Sequence, residues 1–505
     1  EAMLGLGSLT LLLALPLIAG VDVVVNDTNL FRTDPRFLAV TIDSGTLCHS
    51  PPFAGLNLTD ERLITSVRGL HPGLIRIGGS ATDYSFYDSA GHTAACTYGP
   101  DDVQHLTDFA MAVGADVVWG LNAEDRQNGT TNSTTWNSTR ARDFLNMVKA
   151  RGLPIVGFEL GNEPDQYALV KLPPVSPSQH ALDYQALLAL VQDVYGSHGQ
   201  GTPASPWIIG PALTSVQDTP FSKETWLLEF VGNLSALGAQ ESIDLLSWHF
   251  YYESGNHAES TDFVSTGLFD RFMQADSWVR KAQALYLPNA SLVLSETASA
   301  WAGGAPNISD GYVSVLCYAD RLAAAASLGT KFMARQTLIG GAYGLLRHEN
   351  DTWSANPSFF IGSLWAQLIG QVALPVLGQE SLARSLRSYA MCTRQDGGFL
   401  KQRDLLPDDQ PGSITLVLVN LEPLPVEIDL VLPNHAPERW EFLVTGTRLT
   451  SPVVAVNGAI GELDPATGAV PTFSGTLKRG VTGIRVDGES LAFVVVPGAR
   501  FSSCP

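Results

Sequence analysis

The chain is poor in charge and poorest in positive charge. Only 16% of its 505 residues are Asp, Glu, Lys or Arg, and 30 basic side chains face 50 acidic ones, for a formal net charge of −20. A polyanion would meet a repulsive long-range field, which argues against general nucleic-acid binding without removing a local basic patch. Past the first 20 residues no stretch approaches ~18 uninterrupted apolar residues, so no stable membrane span is expected. Also missing are a P-loop, a dinucleotide glycine fingerprint, a Gly-x-Ser-x-Gly elbow and any His/Cys group at zinc spacing. Internal repeats and low-complexity tracts are absent too. With 45% hydrophobic residues, what remains is a globular chain long enough for one large domain and a smaller one.

What is present points to export. Residues 1–20 read as a signal peptide, whose apolar run Leu9–Ala19 closes on the small pair Ala19-Gly20 and is too short for a span. A basic n-region is missing and Glu1-Ala2 precede Met3, so an uncleaved signal anchor is the alternative. Nine Asn-x-Ser/Thr sequons are candidate glycosylation sites: Asn26, Asn57, Asn128, Asn132, Asn137, Asn233, Asn289, Asn307 and Asn350. Three of them crowd into residues 128–139, a surface loop if modified. The expected destination is extracellular, with a vacuole or lysosome as variants. Five cysteines, Cys48, Cys96, Cys317, Cys392 and Cys504, suggest two disulfides and one buried thiol. Cys317, inside the apolar helical run VSVLCYADRLAAAA, reads as the unpaired one.

From residue 36 to about 371 short β-type runs alternate with longer helical ones. The strand candidates are 36–43, 73–79, 116–122, 155–162, 207–213, 245–252, 291–297 and 332–338. Each is nearly continuously apolar, as a parallel sheet covered on both faces requires. Amphipathic segments lie between them, such as 101–113, 139–151, 178–195, 311–328 and 357–370. Eight β–α units fit a (β/α)8 TIM barrel. An open doubly wound sheet would normally carry a glycine-rich loop after its first strand, and IDSGTLCHSPPF has none. Residues 372–505 read instead as a β-sandwich, with short strands between Pro, Gly, Asn and Asp. Residues 21–35 hold an early strand that could join that sandwich.

In such barrels the working residues project from the C-terminal strand ends. Glu163 lies at the end of the fourth strand, in FELGNEPDQY, and Glu296 near the end of the seventh, in LVLSETASAW. A lone glutamate is usually a solvated surface charge. Each of these interrupts an apolar run, where an ionised carboxylate needs partners. Glu159, four positions before Glu163, could be a structural ion-pair member inside the barrel. Two carboxyl groups about 5–5.5 Å apart suit glycoside hydrolysis by double displacement, one protonated to serve the leaving oxygen and the other ionised to attack.

Further stretches support this assignment: FLAVTID (37–43), LIRIGGSATDYSFYD (74–88), GLNA (120–123), ELGNEP (159–164), SWHFYY (247–252), SETASAWAGGAPNISD (295–310) and ARQTLIGGAYGLL (334–346). Together they resemble the heparanase-like glycoside hydrolases of family 79 nearly end to end. That family sits in the clan of barrels with an Asn-Glu acid/base on strand four and a Glu nucleophile on strand seven. The resemblance implies a retaining β-glucuronidase without metal or cofactor. In it Glu163 would be acid/base and Glu296 nucleophile, Asn162 would bind the sugar 2-hydroxyl, and Tyr251 would support the nucleophile. A glucuronate carboxylate would meet the N–H groups of Ala302 and Gly303 and the hydroxyl of Tyr343. Alanine stands at 302 where the family has glycine, which is harmless if only its N–H is used. Asp43, Thr82 and Gln336 match sugar-contacting positions. His249 either lines the cleft or is a satisfied structural group. The resemblance also implies the disulfides Cys48–Cys96 and Cys392–Cys504.

Two departures bear on substrate. The interval from Tyr87 to Asp116 leaves no room for the excised linker of the heparanase branch, so a single-chain, monomeric enzyme is expected. The stretches matching its sulfate-gripping surface, 165–180 and 214–226, keep only Lys171 and Lys223. These features favour release of terminal β-glucuronic acid, or its 4-O-methyl form, from glycans or glucuronides. An endo-acting enzyme that cleaves heparan sulfate is the alternative, and a non-catalytic glycan-binding relative is a third reading.

Overall fold

A computed structural model describes residues 21–48, 56–91, 96–127, 135–214, 223–377, 385–395, 412–434 and 436–505. Eight parallel strands close into a barrel. They are β1 (Leu38–Asp43), β2 (Leu74–Gly78), β3 (Asp116–Leu121), β4 (Ile155–Leu160), β5 (Trp207–Leu213), β6 (Leu245–Ser254), β7 (Ser291–Trp301) and β8 (Met333–Arg335). One helix follows each strand: α1 (Glu61–Leu70), α2 (Pro100–Val113), α3 (Thr139–Arg151), α4 (Pro177–Tyr195), α5 (Lys223–Ala236), α6 (Thr266–Tyr286), α7 (Val313–Ser327) and α8 (Pro357–Leu368). All eight strands read from the sequence are present. β4 stops at Leu160, two residues short of that reading, because Gly161 (φ +77) and Glu163 (φ +55) turn left-handed. β8 is also shorter: past Arg335, the N–H of Gln336 donates to Thr297 O and that of Leu338 to Thr41 O.

The barrel interior is layered by chemistry. Its lower part is dry, filled by Ala39, Leu74, Val118, Ile209, Leu245, Val293 and Phe332. Toward the C-terminal strand ends the inward positions turn polar. On β6 the alternation Leu245, Ser247, His249, Tyr251 faces one way, as the period of a strand requires. Trp248, Phe250 and Tyr252 face α6, where Trp248 stacks on Phe272 at 5.9 Å and Tyr252 on Phe269 at 5.4 Å between ring centroids. Between β6 and β7 the register shifts, so that Trp248 pairs with Leu294 but His249 with Glu296. That irregularity re-aims Glu296, a use to which bulges beside active sites are commonly put.

The C-terminal region is β-rich. A large sheet runs in the order Phe31–Arg32, Ile369–Leu374, Leu386–Thr393, Ile414–Asn420, Ser490–Val496 and Glu438–Thr445, with short strands beyond. A second sheet sets Val21–Val25 between Val376–Leu377 and Val426–Val431, with Ile484–Val486 at its far edge. The residues between the two sheets form a separate core that includes Val23, Leu374, Leu416, Leu430 and Val494. The larger sheet is tied to the barrel helices by charge: Arg387 Nε donates to Asp320 at 2.5 Å and Arg387 NH1 to Asp270 at 3.0 Å, while Tyr389 donates to Asp320 at 2.7 Å. Cys392 is bonded to Cys504, and Cys48 to Cys96 across the loops after β1 and β2; Cys317 is free and buried.

Of the sequons, Asn26, Asn57, Asn289, Asn307 and Asn350 are exposed and Asn137 and Asn233 half-buried. Asn128 and Asn132, like the signal-peptide reading of 1–20, lie outside the described residues. No described helix is long and apolar enough to cross a membrane.

Candidate active site

The polar upper barrel is organised around Arg76. An arginine in the middle of LIRIG would be prohibitive in a dry strand, so its guanidinium must be matched by acceptors. Strand β4 with its exit, and strand β7, supply them. Nε donates to Glu159 Oε2 at 2.8 Å, NH1 to Glu296 Oε2 at 2.9 Å and NH2 to Asn162 Oδ1 at 3.0 Å. Ser247 donates to the other oxygen of Glu159 at 2.8 Å, and Tyr251 to Glu296 Oε1 at 2.6 Å. Glu296 therefore has a donor on each oxygen, and its side chain is 9% exposed.

Glu163 differs in every respect. It sits on the left-handed exit of β4, its N–H donating to Ala212 O at 2.9 Å. Its side chain is 25% exposed and its Oε1 lies 2.9 Å from Nδ1 of His249. One carboxylate oxygen from each glutamate and a ring nitrogen of His249 all fall within 4.8 Å of one another.

These surroundings drive the two carboxyl groups apart. For Glu163, burial is the largest influence and raises the pKa; the bond from His249 opposes it and the nearby charge of Glu296 adds to it, for a net rise. Burial would raise Glu296 too, but the charges of His249 and Arg76 and the hydroxyl of Tyr251 outweigh it, and its pKa is lowered. Burial opposes the charging of His249, whereas the two glutamates favour it and prevail. Two titratable groups pushed in opposite directions mark an acid and a nucleophile.

The remaining residues singled out by sequence surround this pair. Asp43, at the end of β1, accepts from Gln336 Nε2 at 3.0 Å, and burial together with the charge of Glu296 raises its pKa. Thr82, in the turn after β2, donates to Ser44 at 3.2 Å, with no direct bond to either glutamate. Ala302 (φ +59) and Gly303 (φ +84) form a left-handed turn after β7. Gly303 O accepts the N–H of Ala342 at 2.7 Å, joining that turn to the Tyr343 loop. Burial and the charge of Glu296 push the Tyr343 hydroxyl pKa up. Tyr343 therefore feels the charge of Glu296, while Ala302 is exposed and Gly303 half-buried.

Arg76 and Asp83 escaped the sequence reading. The available signal was a single basic residue inside an apolar strand and a single acid after GGSAT. Glu163, His249 and Glu296 are also, among the described residues, the ligand atoms close enough to share an ion. Arg76 already places a fixed positive charge 2.9 Å from Glu296, where a cation would be repelled.

Residues 91–323 match the family model described as Glycosyl hydrolase family 79, N-terminal domain. A heparanase from Rattus norvegicus is 26% identical, over 96% of this chain and 94% of its own length. The baicalin-β-D-glucuronidase of Scutellaria baicalensis is 25% identical, over 95% and 93%. Among solved structures, a 4-O-α-L-rhamnosyl-β-D-glucuronidase from Fusarium oxysporum superposes with a TM-score of 0.65 at 16% identity, covering 94% of this chain and all 100% of that one. The chain thus matches the N-terminal domain of glycosyl hydrolase family 79 over residues 91–323 and is similar along nearly its whole length to heparanases and related glucuronidases.

Proposed function

We propose that this protein is a retaining β-glucuronidase that removes terminal β-linked glucuronic acid, or its 4-O-methyl form, from glycans or glucuronides. The observation that carries this reading is a pair of carboxyl oxygens within 4.8 Å of each other with opposite protonation tendencies. That spacing suits attack without an intervening water; inversion needs ~6.5–9.5 Å.

Glu296, held ionised by Arg76 and Tyr251, attacks the anomeric carbon and forms a glycosyl ester as the bond to the leaving oxygen breaks. Glu163, 2.9 Å from His249 Nδ1, passes its proton to that oxygen. Glu163, now ionised, takes a proton from an entering water, which attacks the same carbon and frees Glu296. Asn162, held through its Oδ1 by Arg76, has its amide N–H free to meet the 2-hydroxyl. Ala302 N–H, Gly303 N–H and the Tyr343 hydroxyl would receive the glucuronate carboxylate, with Asp43, Gln336 and Thr82 on the sugar's other hydroxyls.

The barrel at 36–371 would be the catalytic domain and 372–505 the sandwich, in a secreted, single-chain monomer glycosylated at its exposed sequons. A second reading, endo-cleavage of heparan sulfate, draws support from the end-to-end similarity to a heparanase. The net charge of −20 weighs against a long sulfated polyanion. Hydrolysis of p-nitrophenyl β-glucuronide measured beside heparan sulfate depolymerisation separates the two. Glu163→Gln and Glu296→Gln should abolish whichever activity is present; an undiminished rate in either variant would refute the assignment.

A further inference from the structure

Asp83 is a buried acid that the reaction described above does not use. It closes the turn Ser80–Asp83 after β2 and is 2% exposed. Its Oδ2 accepts the N–H of Asn162 at 2.9 Å and its Oδ1 the N–H of Ala123 at 3.0 Å. One carboxyl group therefore grips the exits of β3 and β4 from the exit of β2.

The peptide it grips at β4 is conformationally exposed to error. Asn162 lies between two left-handed residues, Gly161 at φ +77 and Glu163 at φ +55. Glycine is required at 161, since a Cβ there would stand 2.5 Å from the Tyr167 hydroxyl and 2.9 Å from Ala123 Cβ. Glu163 has a Cβ and adopts a conformation that L side chains rarely take. Such a conformation persists only when its surroundings over-determine it. The N–H groups of Gly161, Asn162 and Glu163 donate in turn to Leu121 O, Asp83 and Ala212 O, and Glu163 O accepts from Gln166; the bond to Asp83 is the one in this backbone set that a side chain supplies.

We propose that Asp83 is the positioning residue of the acid/base: by holding the Asn162 N–H it fixes the left-handed exit of β4 and the direction in which the Glu163 carboxyl is presented. This inference rests on the assignment of Glu163 as acid/base. Asp83 is 2% exposed and has a backbone N–H on each carboxylate oxygen, so it would act through Asn162 and Glu163.

Loss of position has a chemical signature that loss of stability lacks. A dinitrophenolate departs without a proton, whereas a phenolate of ordinary basicity needs one from Glu163. The test compares kcat/KM, which reports the first chemical step, for 2,4-dinitrophenyl and phenyl β-glucuronides. In Glu163→Gln the ratio of the two should rise on the order of 10²–10⁴-fold, the usual worth of general acid catalysis. In Asp83→Ala it should rise about 10- to 100-fold, the effect of a misplacement near 1 Å. Asp83→Asn keeps an acceptor for only one of the two N–H groups and should raise the ratio by less; it is also the variant to read if the alanine form does not fold. A fall in both rates together, with the ratio unmoved in Asp83→Asn while Glu163→Gln raises it, would make Asp83 a purely structural residue and overturn the proposal. A ratio unmoved in Glu163→Gln would remove the acid/base assignment and this inference with it.

Discussion

Replacing Arg76 by methionine removes the guanidinium between Glu296 and Glu159 while keeping much of the side chain's bulk. Three charge-assisted or polar contacts of 2.8, 2.9 and 3.0 Å disappear. Glu159 keeps only the hydroxyl of Ser247 and Glu296 only that of Tyr251. With the Arg76, Glu159 and Glu296 side chains 1%, 1% and 9% exposed, water cannot substitute, and removing one partner of a buried pair costs about 3–5 kcal/mol. The sign with pH follows from the direction of the Glu296 shift. Its lowered pKa contributes stability that is present above the unfolded pKa and lost as pH falls through the folded one. The gap in unfolding midpoint between wild type and Arg76→Met should therefore be widest near pH 7 and narrow toward pH 4. The same loss lets the Glu296 pKa rise, so the acid limb of kcat/KM should move to higher pH. Thermal melts across that pH range and a pH–rate profile on an aryl glucuronide measure both effects. An acid limb left in place, with a destabilisation below about 1 kcal/mol, the size of an exposed ion pair, would refute this role of Arg76.

Two further substitutions probe the site. His249→Phe removes the bond that lowers the Glu163 pKa and the charge that lowers that of Glu296, so both limbs of the kcat/KM profile should shift to higher pH, unlike the acid limb alone in Arg76→Met. A profile that narrows or moves to lower pH would contradict this. Tyr343→Phe should reduce kcat/KM about 10- to 100-fold for an aryl β-glucuronide, the loss of one hydrogen bond to a charged group, and leave the low rate on the matching β-glucoside within threefold. Equal losses on both sugars would place the hydroxyl elsewhere than at the carboxylate.

The barrel was legible because each strand is buried on both faces and must be apolar throughout, so β1 to β8 are eight separate apolar runs. Glu163 and Glu296 were legible for the same reason, as charges where such runs end. Arg76 was not: its meaning depends on Glu296, 220 positions away, and only barrel closure brings the two together. Asp83 was hidden because it binds backbone N–H groups, which carry no residue identity. The register shift that sets Glu296 opposite His249 has no marker in SLVLSET. At Leu386–Thr393 the polar Arg387 and Tyr389 interrupt the strand pattern because they face Asp320 on α7 rather than solvent.

The stereochemistry of the first product formed is the most direct test of double displacement by Glu163 and Glu296. Proton NMR of an aryl β-glucuronide digest, recorded before mutarotation, should show the β-anomer of glucuronic acid appearing first. The α-anomer as initial product would mean a single inverting displacement and would contradict the account.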